Sequence, residues 1–208
     1  AGNLKGKIVI FDNDKPCDHC GVFGIFAPGE DVARLTFFGL LALQHRGQES
    51  AGIASSDFKK VVVYKGMGLV NQVFTETKIK RLKGDLAIGH TRYSLAGTSL
   101  LTNAQPIAFS SSKGDFALVH NGNLANYQEL KQLLFKKGHC FSTDVDSELI
   151  ARLIAEAKGR SFKEKIINGV SKLKGAFSLA LLTKDKVYII RDQWGVRPFV
   201  LGKINVKG

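Results

Sequence analysis

Apolar positions along this chain follow two periods, and the change from one to the other outlines the fold. Residues 20–27 interleave Val22, Phe23 and Ile25 with glycines, which predicts a buried strand. Residues 30–45 carry Val32, Leu35, Phe38, Leu40 and Leu43 at helical spacing. Two further strands are predicted over 50–56 and 60–65, with Asp57-Phe58-Lys59 as their turn, and two more over 86–93 and 116–120. Helical spacing then takes over. Leu124, Tyr127, Leu130, Leu133 and Leu134 make one face, ended by Gly138. Leu149, Ile150, Leu153, Ile154 and Ala157 make a second, entered near Asp146. Ser161-Phe162-Lys163-Glu164 is a capping box that opens a third, with Ile166, Ile167, Val170 and Leu173 inward. A last hairpin spans 176–183 and 186–191 over Lys184-Asp185.

Strands, then helices, then strands, joined mostly by short turns, imply antiparallel pairing. The strands are too apolar to face water, so each sheet needs cover on its other side. Two antiparallel sheets packed together with helices outside satisfy both demands, an α+β layered architecture. Residues 1–19 hold one small apolar block, 8–11, in a Lys/Asp-rich stretch and are read as a leader. That block is too short for a secretion signal, and no apolar run approaches membrane-spanning length.

Composition changes this picture little. With 208 residues, 44% apolar and 23% charged, the chain is an ordinary globular one. The net charge of +12 raises nucleic acid, an anionic membrane or an acidic substrate as partners. The basic residues are scattered, with no block longer than two, so a solvated Lys-rich surface is the plainer reading. The three cysteines form no disulfide framework and suit a reducing, cytoplasmic compartment. Cys17-Asp18-His19-Cys20 has the CxxC form, but zinc would need a second pair, and a redox pair belongs between a strand and a helix.

The chemistry gathers around four stretches and one cysteine. Cys20 opens its strand with Gly21 behind it; it is a nucleophile or a small buried hydrophobe. In 43-LQHRGQESAGI-53, Arg46 and Gly47 lie between a helix end and a strand, where helix termination alone would explain them. In 88-IGHTRYSLAGTS-99, Arg92 ends an apolar strand, ready for a carboxylate or for a structural salt bridge. In 118-LVHNGNLAN-126, Asn121 and Gly122 follow a strand; a hairpin turn is the common meaning, but a helix is predicted next, and an amide with a glycine N–H also holds an oxyanion. Asp146 in 143-TDVDSE-148 is a helix N-cap or a partner for an ammonium group. Together these groups describe hydrolysis of a side-chain amide on an α-amino acid. No His is placed to activate Cys20.

CGVFGI, LQHRGQESAGI, GHTRYS, HNGNL, DSE and 194-WGVRP-198 occur in this order. The set closely resembles the N-terminal glutaminase domain of the amidophosphoribosyltransferase family, a class II glutamine amidotransferase domain, from Cys20 to about Leu201. The resemblance implies a four-layer αββα sandwich of the N-terminal nucleophile hydrolase type. It implies a propeptide over 1–19 and a glutaminase domain over 20–208, incomplete at its C-terminal end. Cys20 becomes the first residue, its free α-amine acts as base, and it attacks the side-chain amide of glutamine. Arg92 then binds the glutamine α-carboxylate, Asn121 and Gly122 form the oxyanion hole, Asp146 holds the α-ammonium group, and Arg46 supports the nucleophile. Cys17 is a leader residue and Cys140 structural.

In that family, ammonia serves phosphoribosylamine synthesis from phosphoribosyl pyrophosphate, the first committed step of purine synthesis. The phosphoribosyltransferase domain, with its Mg²⁺ site, is absent here, as are most ligands of the iron–sulfur cluster some members carry. No cofactor is expected in this segment, and the full-length family member is expected to be a homo-oligomer. Two alternatives stand beside this reading. One is the same domain serving another acceptor, as in glucosamine-6-phosphate synthesis. The other is a non-enzymatic basic module for nucleic acid, with salt-sensitive affinity and indifference to Cys20.

Overall fold

The computed structural model describes residues 20–93 and 99–203; the expected leader, with Cys17, lies outside them. Strands β1 (Gly21–Phe26), β2 (Ser50–Ser56), β3 (Val61–Met67) and β4 (Leu86–Arg92) form one sheet in the order β1-β4-β2-β3. Strands β5 (Ile107–Ser111), β6 (Gly114–Leu124), β7 (Gly175–Thr183) and β8 (Val187–Arg191) form a second, in chain order. Every pairing among them is antiparallel. Helices α1 (Val32–Ala42), α2 (Val70–Val73) and α3 (Glu76–Ile79) cover the first sheet; α4 (Tyr127–Lys136), α5 (Asp146–Glu156) and α6 (Phe162–Val170) cover the second.

Side-chain alternation builds the layers. Leu86 and Ile88 of β4 point inward to meet Ala117 and Val119 of β6 and Ala180 and Leu182 of β7, whereas Ala87 points out to the α1 layer. Phe116, Leu118 and Leu124 of β6 turn the other way, onto Leu149, Ile150, Leu153 and Ile154 of α5. The result is the expected αββα sandwich. Every residue of β2 and β4 is buried, as strands covered on both faces must be.

Local signals explain the helix ends. The Asp31 carboxylate accepts the Arg34 N–H at 3.1 Å and starts α1. The Ser161 hydroxyl accepts the Glu164 N–H at 3.2 Å, while the Glu164 carboxylate accepts the Arg160 N–H at 2.8 Å, one residue before the expected box partner. Gly138, with φ of +85°, closes α4, and His139 N–H reaches the Leu134 carbonyl at 3.1 Å.

Three expectations need correction. The strand predicted over 116–120 continues as β6 through Leu124, and α4 begins only at Tyr127. Leu124 read as helical because its side chain joins Leu130 and Leu134 in one core from the strand side. β1 is an edge strand with only Gly21 fully buried, and Phe26 is 61% exposed. The elements α2, α3 and β5 were not anticipated; four or five residues carry too little periodicity to register. Among the described residues, no helix is long and apolar enough to cross a membrane.

Candidate active site

The candidate residues converge at one end of the sandwich. In the β1–β4 register Gly21 faces Thr91, so Cys20 comes beside Arg92; on the other side of β4, Ser50 faces Arg92 directly. The second sheet is tied to this end by the His90 imidazole, whose Nε2 lies 3.1 Å from the His120 carbonyl, next to Asn121 and Gly122.

Cys20 is gripped through its backbone by Arg46. Its N–H donates to the Arg46 carbonyl at 3.1 Å, and the Arg46 Nε donates to the Cys20 carbonyl at 3.0 Å. Cys20 adopts φ of 61°, a left-handed conformation that costs a non-glycine residue about 1 kcal/mol or more. Two glycines make room around it. A Cβ on Gly21 would stand 2.5 Å from the Thr91 hydroxyl, and one on Gly47 would stand 2.6 Å from the Arg92 carbonyl carbon. The thiol approaches the Tyr93 carbonyl at 3.7 Å. Burial pushes its pKa up, and Glu49 adds to this. The Tyr93 carbonyl contact and the charges of Arg92 and Arg197 pull the other way without prevailing. A thiol so placed is protonated at neutral pH and needs a base.

Arg92 is 4% exposed and forms an ion pair with the Glu49 carboxylate; Glu49 N–H also donates to the Arg92 carbonyl at 3.0 Å. The salt-bridge reading of Arg92 is therefore realised, and a substrate carboxylate would meet a guanidinium whose orientation is already fixed.

Asn121 and Gly122 lie within β6 itself, so they form neither a turn nor a helix start. Asn121 is buried, and its side-chain oxygen has no partner among the described residues. Gly122 is packed so closely on β7 that a Cβ would stand 2.1 Å from the Ala176 carbonyl. Asp146 is the first residue of α5 rather than its cap. Its carboxylate accepts the Leu124 N–H at 3.0 Å, and burial raises its pKa.

His90 and His120 are fully buried, and desolvation lowers both pKa values to about 3. Both are neutral, and neither bonds the thiol. Glu49, His90 and Arg197 each stood inside a quoted motif without an assigned role. Arg197, from WGVRP, acts electrostatically on both Cys20 and His120. Cys140 is exposed and unbridged. Among the described residues, no group of three or more His, Cys, Asp or Glu side chains is arranged to hold a metal.

A family model described as a glutamine amidotransferase domain matches residues 90–207. An amidophosphoribosyltransferase from Synechococcus elongatus is 49% identical over 94% of this chain, and one from Bacillus subtilis is 42% identical over 90%. The chain spans about 40% of the length of each. Among solved structures, the B. subtilis glutamine phosphoribosylpyrophosphate amidotransferase superposes with a TM-score of 0.79 at 41% identity. The match covers 85% of this chain and 38% of that one. The layers, the register that seats Cys20 beside Arg92 and these matches agree, and this chain belongs to the glutamine amidotransferase domain family.

Proposed function

We propose that residues 20–208 hydrolyse glutamine, with Cys20 as nucleophile once the peptide bond before it is broken and residues 1–19 are removed. The observation that carries this is the meeting of two strand ends. Cys20 at the head of β1 and Asn121-Gly122 in β6 lie at the same end of the sandwich, joined through His90 and His120. A buried, protonated thiol without a histidine partner among the described residues calls for a base, and the freed α-amine is the group on the same residue.

In this mechanism the amine takes the thiol proton, and the Arg46 carbonyl, which already accepts from the Cys20 nitrogen, orients it. The sulfur attacks the amide carbon of glutamine. The Gly122 N–H and the Asn121 side-chain amide receive the oxyanion. The carbon–nitrogen bond breaks as the amine returns its proton, and ammonia leaves. Water then cleaves the thioester, giving glutamate and restoring the thiol. Arg92 binds the substrate carboxylate and Asp146 the α-ammonium group, the partners their charges select.

The relatives' names extend the proposal to the full protein. Ammonia passes to a phosphoribosyl pyrophosphate-binding region outside this chain, with Mg²⁺ held there, and phosphoribosylamine is the product. The full protein is proposed to be a cytoplasmic homo-oligomer. The deciding experiment compares the protein starting at Cys20 with the same protein retaining residues 1–19. Glutamate release only from the former supports the mechanism. Equal release from both, with intact masses verified, refutes the role of the amine.

A further inference from the structure

Gln105 stands just before β5 and belongs to none of the motifs above. It is buried, and its side chain grips the backbone of His120 on both sides. His120 N–H donates to Gln105 Oε1 at 2.6 Å, and Gln105 Nε2 donates to the His120 carbonyl at 3.4 Å. His90 Nε2 lies 3.1 Å from the same carbonyl, a third contact to the His120 backbone.

The register explains why these bonds are needed. β5 pairs with β6 from Ser111 opposite Gly114 to Ile107 opposite Leu118. One more ladder step would place residue 105 opposite His120, but β5 has ended there. The Gln105 amide, one acceptor and one donor, replaces the missing strand and continues the ladder by one pair.

Alternation then fixes the direction of the next groups. His120 turns its N–H and carbonyl to this edge, so Gly122 and Leu124, two and four residues on in an unbulged strand, do the same. Leu124 N–H meets Asp146 there. Phe177, the partner of Gly122 on β7, directs its own N–H and carbonyl away, to Asp192 at 3.0 Å each. The Gly122 N–H is thus the one donor in this row that faces the gap between the Gln105 amide and the Asp146 carboxylate.

We propose that Gln105 is a positioning residue for glutamine hydrolysis: by ending the β5 ladder with a side chain, it opens the β6 edge at Gly122 and fixes the direction of that N–H toward the oxyanion. This rests on the proposed glutaminase reading. Gln105 touches no reacting atom; it acts through the His120 backbone.

The test uses the full-length protein with Cys20 as its N-terminus, comparing wild type with Gln105→Met and Gln105→Glu. Rates are expressed per alkylatable Cys20, so that misfolded molecules do not count. Gln105→Met is expected to lower kcat at least tenfold with KM within twofold. It should weaken inhibition by the γ-aldehyde analogue of glutamine by the same factor, since that analogue forms a tetrahedral adduct, while inhibition by glutamate stays unchanged. Gln105→Glu, which keeps the shorter bond, should recover part of the loss. Unchanged kcat and aldehyde affinity in Gln105→Met overturn the inference, as does a parallel loss of glutamate affinity, which marks a general disturbance. Wild type that neither hydrolyses glutamine nor binds the aldehyde refutes the underlying reading instead.

Discussion

The Glu49 carboxylate and the Arg92 guanidinium meet at the end of β4, one residue before β2 begins, and fix each other beside the Cys20 backbone. The pair has two consequences. It holds the guanidinium in one orientation, and it makes either partner costly to remove, because the survivor is left charged in a buried place. Replacing Arg92 with Ala is expected to raise the KM for glutamine tenfold to about a hundredfold, the equivalent of about 1.5–3 kcal/mol for a charged hydrogen bond. Chemical denaturation should show a loss of about 3 kcal/mol alongside it. Unchanged saturation by glutamine in a folded Arg92→Ala protein would remove Arg92 from the substrate site.

Gly122 tolerates no side chain. Gly122→Ala drives a methyl group against the Ala176 carbonyl, so β6 must shift away from β7. A displaced oxyanion donor costs about 10²–10³ in kcat. KM for glutamine should move much less, because Arg92 and Asp146 are untouched. Steady-state kinetics on the folded variant decides this, and a kcat near wild type would exclude the Gly122 N–H from catalysis.

Asp146 is expected to separate stability from binding. Burial raises its carboxyl pKa in the folded state above the unfolded value. The ionised form therefore weighs against folding, and that burden lifts as pH falls through the folded pKa. Asp146→Asn keeps an oxygen for the Leu124 N–H and removes the buried charge. Thermal unfolding at pH 7.5 should show a Tm equal to or above wild type, while glutamine affinity falls at least tenfold. A lowered Tm with intact glutamine affinity would assign Asp146 to structure alone.

The two buried histidines set a limit at acid pH. Their folded pKa values, about 3, lie below the unfolded value of about 6.5. The unfolded chain therefore takes up protons first. Stability is complete above about pH 6.5 and declines as pH falls toward 3, by about 2 kcal/mol per histidine at pH 5. Urea midpoints at pH 7.5 and pH 5 measure the decline. His90→Gln, whose side chain retains a donor for the His120 carbonyl, should reduce it by about half. A slope untouched by this change would mean that His90 does not carry the effect.

Much of this molecule was legible in its order of residues. Period-two and helical spacing located seven of the eight strands and the four longer helices, and Ser161 and Gly138 end two of those helices by the local bonds their types favour. The motifs identified Cys20, Arg46, Arg92, Asn121, Gly122 and Asp146 as candidates, and the fold brings them to one end of the sandwich. The readings of strands, helices and helix ends succeed because periodicity and capping depend on neighbours within a turn or two. What needed the tertiary structure depends on strands distant in sequence. The extension of β6 past His120 comes from its pairing with β7, about 60 residues on. The orientation of Arg92 comes from Glu49 across 43 residues, and the direction of the Gly122 N–H from β5 ending at Gln105. No local pattern encodes such a partner, because a strand's spacing fixes which residues share a face, and only its neighbours in the sheet decide which backbone groups remain to meet a substrate.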